Sequence, residues 1–201
     1  MFNKKENPKT KLKTTFINIG TLLIMGSFLF DFAKENFRIN VSESIPTGIY
    51  RVYPIDTIKK GDCIVFETDK STREFMLKRG YIKENSKAFI KKVVGMEGDI
   101  IEIDEYLKIN GKTIKKIHTK DSMGNPLPLK TGKYTLKKDE FFMFGDHERS
   151  FDSSYMGIIK REQMLKKAKL EIKFKKINIK NIINNLMWKV FLLSFYEKYK
   201  K

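Results

Sequence analysis

The sequence AFIKKVVGMEGDIIEI, residues 88–103, decides the fold class of this protein. Ala88–Val94 and Asp99–Ile103 are short runs rich in β-branched residues, and the glycines between them are typical of a turn. Alternation along a strand places Lys91 and Lys92 on opposite faces, so that one lysine can point inward while the other meets solvent. The stretch therefore predicts two strands in succession, the first with a lysine on its inner face.

The same β pattern continues on both sides of this stretch. Further strands are predicted at Gly48–Tyr53, Asp62–Glu67 and Lys133–Phe144. Asn110-Gly111, between two short apolar runs in Tyr106–Ile114, predicts a type I′ hairpin. Residues 115–132 are polar and contain two prolines, which favours a loop, and no segment between 33 and 158 shows sustained helical periodicity. We predict a mostly β domain of several short strands, curled or barrel-like, with Cys63 as a small buried hydrophobe.

A run of 17 uncharged residues, Thr14–Phe30, precedes this domain. As a helix it is about 26 Å long, at the short end for a membrane span. Lysines before the run predict a cytoplasmic N-terminus. A cleaved signal peptide is one alternative, but Gly26–Phe32 offers no convincing small-x-small cleavage site. A buried core helix is the other, and an uncleaved anchor is favoured over both.

The net charge of +17 is divided unevenly along the chain. Residues 1–13 carry five lysines and one glutamate, a net of +4, and residues 160–201 carry 13 basic and three acidic side chains, a net of +10. The middle therefore holds 17 − 4 − 10 = +3. A DNA-binding domain more often concentrates its charge on the folded body, so we expect no nucleic-acid partner. One cysteine and two histidines are too few for a typical structural zinc site, and we expect no metal and no cofactor.

The C-terminal segment combines basic and apolar residues. In Ile182–Tyr196, six apolar side chains fall at helical spacing on one side, while asparagines and Lys189 largely oppose them. This pattern is typical of an amphipathic helix in the membrane interface. A second membrane span and a helix packed on the domain remain alternatives. The expected organisation is a basic cytoplasmic segment 1–13, an anchor 14–32, a β-rich extracytoplasmic domain 33–176 and a membrane-associated segment 177–201.

Three islands of sequence stand out: Asn40–Tyr50 (NVSESIPTGIY), Ala88–Asp99 (AFIKKVVGMEGD) and Gly145–Gly157 (GDHERSFDSSYMG). Together, in this order, they resemble the type I signal peptidases, which are serine proteases with a catalytic Ser–Lys pair. The short spacing Ser44-Ile45-Pro46 and the Ser-Phe-Asp-Ser-x-Tyr run resemble the conjugal-transfer branch, which matures pilin precursors. Asp62–Phe66, preceded by Gly61, resembles the family's Gly-Asp-x-Val-x-Phe strand. The resemblance implies a signal-peptidase-like β domain behind an N-terminal transmembrane helix.

The chain departs from the family pattern at three positions. Glu97 replaces a proline, His147 stands where asparagine is common, and Ser154 stands where the family usually has arginine. The missing arginine removes the family's ion-pair partner for Asp152. Lys92 is the expected substitute partner.

The resemblance assigns roles to individual residues. Ser44 matches the nucleophile and Lys91 the general base, since an inward lysine is desolvated and its pKa falls toward neutrality. Ser42 matches a donor to the oxyanion, alongside the backbone N–H of Ser44, and Ser150 matches the hydroxyl that holds the lysine amine. A Ser-His-Asp triad would need His118 or His147, and both lie outside matching motifs. Three further residues are expected to shape the site: Pro46, Gly48 and Asp152.

The implied reaction is cleavage of membrane-tethered precursors through an acyl-Ser44 intermediate, after small residues such as Ala-x-Ala. The expected location is the bacterial inner membrane, with a single span and a periplasmic catalytic domain. Expected partners are a propilin or other precursor, the phospholipid membrane, and secretion or conjugation machinery. Hydrolysis and cyclisation of the pilin both remain open. A general signal peptidase and a non-catalytic scaffold of a secretion machine are the alternatives.

Overall fold

A long apolar helix, α1, leads directly into the first strand of the β domain. In the computed structural model, which describes residues 8–174, α1 covers Pro8–Asn36. Its segment Thr15–Asn36 has a mean hydropathy of 1.7 with none of that window buried, so it is long and apolar enough to cross a membrane. The helix includes the expected anchor and continues to Asn36. The amphipathic helix expected within 177–201 lies outside the described residues.

Two short helices, a 3-10 turn and eleven strands follow α1 within the described residues, which end at 174. The helices are α2 (Lys70–Lys78) and α3 (Ser153–Met156), and the 3-10 turn is Arg161–Gln163. The strands are β1 (Phe37–Asn40), β2 (Gly48–Tyr53), β3 (Cys63–Phe66), β4 (Phe89–Gly95), β5 (Ile100–Ile103), β6 (Tyr106–Ile109), β7 (Lys112–Lys116), β8 (Gly132–Thr135), β9 (Glu140–Phe144), β10 (Ile159–Lys160) and β11 (Met164–Lys173).

The strands form two antiparallel sheets. The larger sheet has seven strands in the order β1-β2-β11-β3-β4-β9-β10, and the smaller has four in the order β7-β6-β5-β8. Register shifts interrupt the β4–β9 and β11–β3 ladders, and such bulges bend a sheet. The predicted mostly β fold is confirmed.

Several predicted strands match the structure closely. β2 occupies the predicted Gly48–Tyr53, and the runs around β3, β4 and β5 agree to within a residue or two. Asn110 and Gly111 have φ values of 51° and 76°, as a type I′ turn requires, and they join β6 to β7. Local sequence chemistry is therefore sufficient for these elements.

Two features of the fold differ from the predictions. Helix α2 lies in a region predicted to lack helices. The sequence signal for its start is Asp69, which caps the helix by accepting from the Thr72 N–H at 2.9 Å. The basic run that begins at residue 160 includes β11, which pairs between β2 and β3 inside the large sheet. Part of the net charge of +10 counted over residues 160–201 thus lies within the folded domain and not beside it.

The two faces of β4 pack against different hydrophobic clusters. On one face, Val93 is fully buried together with Ile64 and Phe66. On the other face, Ile90 packs against a cluster that contains Val65 and apolar residues of the β1–β2 hairpin. Strand β4 therefore packs against both the β1–β2 hairpin, whose connecting loop contains Ser44, and the region of β9 and α3, which are joined by the segment that contains Ser150.

Gly48 is required by the close approach of β2 and β11. A Cβ at this position would overlap the carbonyl oxygen of Ile172 and lie 2.7 Å from a methyl carbon of Leu170. We expect Gly48→Ala to destabilise the domain by about 1–3 kcal/mol, because backbone atoms cannot move aside as a flexible side chain can. Thermal unfolding of the purified variant measures this. Gly26→Ala adds the same methyl group in open space, with nothing within 4 Å, and is expected to leave the transition unchanged.

Candidate active site

Ser44 lies in a loop, residues 41–47, that joins β1 to β2. Asn40 and Gly48 face each other across the base of this hairpin. The carbonyl oxygen of Ser44 accepts the Asp146 N–H at 2.6 Å. The loop is therefore fastened to the segment that follows β9.

The side chain of Ser44 is bonded to its neighbour two residues earlier. Ser42 Oγ and Ser44 Oγ are 2.9 Å apart. Pro46 also takes part in shaping the loop, since its carbonyl oxygen accepts from the Tyr50 hydroxyl at 2.7 Å. Tyr50 itself is 1% exposed, so this hydrogen bond anchors the loop to the core.

Lys91 is buried on the inner face of β4, as the alternation predicted. It is 5% exposed, and its Nζ donates to Ser150 Oγ at 2.7 Å. Burial lowers the pKa of Lys91 to about 8; the Asp152 carboxylate opposes this change, the Lys115 cation adds to it, and Asp146 opposes it. The neutral, proton-accepting form of this amine is therefore more populated near physiological pH than that of an ordinary lysine.

Ser150 occupies a tight corner formed by the loop after β9. A Cβ on Gly145 would overlap Ser150 Oγ, so only glycine leaves room for that hydroxyl. Ser150 is 4% exposed, and its N–H donates to the His147 carbonyl oxygen at 2.9 Å. The hydroxyl that binds Lys91 is thus fixed by the surrounding backbone.

Asp152 joins the two ends of this loop. Its carboxylate accepts from the N–H groups of Gly145 at 3.4 Å and Ser154 at 3.1 Å, and it caps α3. The predicted ion pair between Asp152 and Lys92 is wrong. Asp152 pairs with Lys115 of β7 at 2.7 Å, and Lys92 pairs with Asp146 at 2.5 Å, because Lys92 points away from the inner face on which Asp152 lies.

The ion pair of Asp152 and Lys115 is buried. The side chains are 0% and 8% exposed, and the Lys115 ammonium lies 5.2 Å from the ring centroid of Phe144 and 5.8 Å from that of Tyr155. The ring faces attract the cation and exclude water from it. A cation is thereby supplied to Asp152 although Ser154 replaces the usual arginine.

Ser44, Lys91 and Ser150 all line one cleft of about 900 Å³. Helix α2 and the residues after it form another part of its wall, which includes Met76 and Tyr81. Phe75 of α2 stacks on Phe151 at 5.8 Å between ring centroids, so this wall rests on the residue directly after Ser150. A cleft of this size accommodates an extended peptide segment beside the serine and the lysine.

The two histidines that line the cleft, His118 and His147, have side-chain partners other than Ser44. His118 Nε2 lies 2.9 Å from Glu148 Oε1. His147 Nε2 lies 3.7 Å from a carboxylate oxygen of Glu43, and its Nδ1 accepts the Arg149 N–H at 3.2 Å. Each of the two imidazole rings thus lies beside a glutamate carboxylate.

Sequence reasoning missed two residues that support the site. Lys115 is one of many lysines in a polar hairpin, and only the tertiary fold brings it to Asp152. Gly145 was visible as the start of a motif, but the collision that excludes any other residue depends on where Ser150 lies.

A family model described as "Signal peptidase, peptidase S26" matches residues 9–173 of this chain. The chain belongs to this signal peptidase family. It is therefore a peptidase of the signal peptidase I type, and its apolar N-terminal helix anchors it to a membrane.

Relatives of two kinds resemble the chain. The "Probable signal peptidase I-2" of Synechocystis sp. is 25% identical over 179 residues, covering 82% of this chain and 75% of that protein. The "Probable conjugal transfer protein TraF" of Sinorhizobium fredii is 27% identical over 134 residues, with 61% and 70% covered. The "Conjugal transfer protein TraF" of Agrobacterium tumefaciens is 25% identical over 143 residues, with 66% and 80% covered.

Among solved structures, the crystal structure of a signal peptidase I from Enterococcus faecalis is similar to this chain. Its TM-score is 0.34 at 20% identity, covering 60% of this chain and 99% of the crystallised one.

Removal of Lys115 is expected to destabilise the peptidase domain strongly. Lys115→Met leaves the Asp152 carboxylate buried without a counter-charge, which costs about 3–5 kcal/mol. Lys92→Met is the matched control, since its ion pair is 33% and 40% exposed and is expected to contribute less than about 1 kcal/mol. Chemical unfolding of both variants distinguishes them. Equal losses of stability would contradict the buried pair as a structural element.

Proposed function

We propose that this peptidase uses Ser44 as its nucleophile and Lys91 as its general base. The observation that carries the proposal is the presence, in one cleft, of a loop serine and a buried lysine whose amine is held by Ser150 at 2.7 Å. A serine hydroxyl is a weak nucleophile and needs a base within reach. Lys91 is the side chain of this cleft whose burial favours the neutral, proton-accepting form.

The first step transfers the Ser44 proton to the neutral Lys91 amine as the hydroxyl oxygen attacks the scissile carbonyl. In the resting structure Lys91 donates to Ser150, and Ser44 bonds to Ser42. Rotation of the Ser44 side chain then directs its hydroxyl to the amine when substrate fills the cleft, in keeping with the tendency of catalytic hydrogen bonds to form fully only in the complex. Protonated Lys91 returns the proton to the departing amine.

The acyl-enzyme is the ester of Ser44 with the new carboxyl end of the leader peptide, which stays bound while the mature protein departs with the new amine. Negative charge on the tetrahedral oxygen is stabilised by the backbone N–H of Ser44 and by the Ser42 hydroxyl, whose hydrogen turns from Asn40 Oδ1 toward this oxygen as the charge develops. Lys91 then activates a water molecule that hydrolyses the ester. A cyclic pilin forms by the same route only where Ser44 is acylated by the pilin's own carboxyl group, so that the pilin's amino terminus attacks this ester in place of water and releases Ser44.

The proposed substrates are membrane-tethered precursors, in particular pilin-type subunits of a conjugal transfer system. The conjugal transfer proteins among the relatives support this choice, and so does the short Ser44-Ile45-Pro46 spacing. The basic segment before α1 favours a cytoplasmic N-terminus and a periplasmic catalytic domain on the bacterial inner membrane. A general signal peptidase is the second candidate, supported by the Synechocystis relative.

Replacing either proposed catalytic residue is expected to abolish cleavage. In Ser44→Ala and Lys91→Ala, kcat/KM falls by at least about 10³-fold, since each residue of a nucleophile–base unit is needed by the other. The assay uses the full chain in detergent, with a propilin and a secretory precursor as separate substrates. Lys92→Ala is the matched control and is expected to retain activity within about fivefold, as the loss of an exposed ion pair allows.

The outcomes of this assay separate the proposals. Cleavage by both alanine variants would overturn the assignment of the nucleophile and base. Preference for the propilin supports the conjugal role, whereas preference for the secretory precursor supports general signal peptidase activity. Failure of the wild type on both substrates would favour the scaffold alternative.

Activity is expected to rise with pH. The neutral form of Lys91 is the active base, so kcat/KM increases as the pH passes through the Lys91 pKa of about 8 and levels off above it. The charged groups that act on this amine are Asp152, Lys115 and Asp146. A pH–rate profile of the wild type between about pH 6 and 10 measures the midpoint. A profile that is flat or falls across this range would exclude Lys91 as the base.

A further inference from the structure

One side chain, Asn40, makes hydrogen bonds to several groups of the loop that carries Ser44. Asn40 is the last residue of β1, opposite Gly48 at the base of the β1–β2 hairpin. Its side chain is directed across the loop toward Ser42 and Pro46, rather than into solvent. The loop of residues 41–47 therefore has a polar group at its centre.

The amide nitrogen of Asn40 faces three backbone acceptors. Nδ2 lies 2.9 Å from the carbonyl oxygen of Ser42, 3.2 Å from that of Ile45 and 3.2 Å from that of Pro46. Carbonyl oxygens only accept hydrogen bonds, so the atom that faces them must be the nitrogen. The orientation of the amide group is thereby determined by its surroundings.

The amide oxygen of Asn40 faces Ser42. Oδ1 accepts from the Ser42 N–H at 3.2 Å and lies 3.0 Å from Ser42 Oγ. Because an amide oxygen cannot donate, the hydroxyl hydrogen of Ser42 points to Asn40. The 2.9 Å contact between the two serine hydroxyls then has one direction only, with Ser44 donating to Ser42.

We propose that Asn40 is a positioning residue of this peptidase: it holds the curvature of the Ser44 loop through Nδ2 and sets the direction of the Ser44–Ser42 hydroxyl chain through Oδ1. This inference rests on the proposed role of Ser44 as nucleophile. Asn40 acts through Ser42 and the loop backbone, and none of its contacts requires it to touch the substrate.

The two ends of the amide group make asparagine specific at this position. Aspartate has almost the same shape and retains an oxygen for Ser42. Its second oxygen would face the three carbonyl oxygens in place of a donor, which is repulsive and removes the hydrogen bonds that Nδ2 supplies to them. Alanine removes both sets of hydrogen bonds and leaves the orientation of the Ser42 hydroxyl undefined.

The test measures kcat and KM separately for the full chain in detergent, with a fluorogenic peptide that carries Ala-x-Ala before the scissile bond. We expect Asn40→Ala and Asn40→Asp to lower kcat by about 100-fold, as misplacement of a nucleophile by about 1 Å does, while KM changes by less than about threefold. Asn36→Ala removes one hydrogen bond to the Phe32 carbonyl within α1 and is the matched control, with unchanged kcat.

A double-mutant cycle shows whether Asn40 acts through Ser42. If it does, Asn40→Ala costs much less in a Ser42→Ala background than in the wild type, because the hydroxyl that it orients is already gone. Multiplicative effects of the two substitutions would overturn the hydroxyl chain. Unchanged kcat in both Asn40 variants would overturn the proposal as a whole.

Thermal unfolding of each variant separates positioning from folding. If Asn40→Ala does not fold, Asn40→Asp and Asn40→Ser take its place in the same cycle, and a folded variant with wild-type kcat counts against the proposal. The Ser44→Ala control keeps the two proposals distinguishable. Activity in Ser44→Ala defeats the nucleophile assignment itself, whereas an inactive Ser44→Ala beside a fully active Asn40→Ala defeats the inference on Asn40 alone.

Discussion

The removal of the Lys91 amine from water is the constraint on which the rest of the site depends. A buried ammonium group is unfavourable unless it is paired, and the neighbour that meets Lys91 Nζ is the neutral hydroxyl of Ser150. The strand that carries Lys91 is an interior strand of the seven-stranded sheet, between β3 and β9, so the surrounding core holds the side chain in place. The sheet thus holds an amine whose pKa is lowered toward neutrality, which is the property that the proposed role of Lys91 as general base needs.

The loop after β9 supports this arrangement with charges that compensate one another. Asp152 alone would favour the protonated form of Lys91, since a buried carboxylate attracts a cation. Lys115 neutralises that carboxylate at 2.7 Å and acts on Lys91 in the opposite direction. The chain therefore obtains from a hairpin of the small sheet the cation that Ser154 does not provide, and the small sheet contributes to the electrostatics of the site.

The position of the anchor relates the site to the membrane. Helix α1 ends at Asn36 and β1 starts at Phe37, so only seven residues lie between the helix end and Ser44. A strand rises about 3.3 Å per residue, which limits the separation of the proposed nucleophile from the helix end to about 26 Å. A precursor whose leader segment lies in the same membrane would present its cleavage site within this range.

The sequence by itself determined the strands with strong local signals, the Asn110-Gly111 turn, the apolar helix, and the alternation that buries Lys91, because each of these depends on residues within about ten positions of one another. It also contained the motifs that indicated the family. Only the tertiary structure decided the partner of Asp152, the requirement for Gly145 and the contacts of Asn40. Long-range pairing places β7 beside the loop after β9 and β11 between β2 and β3. No local pattern at Lys115 or in the lysine-rich β11 indicates such a neighbour.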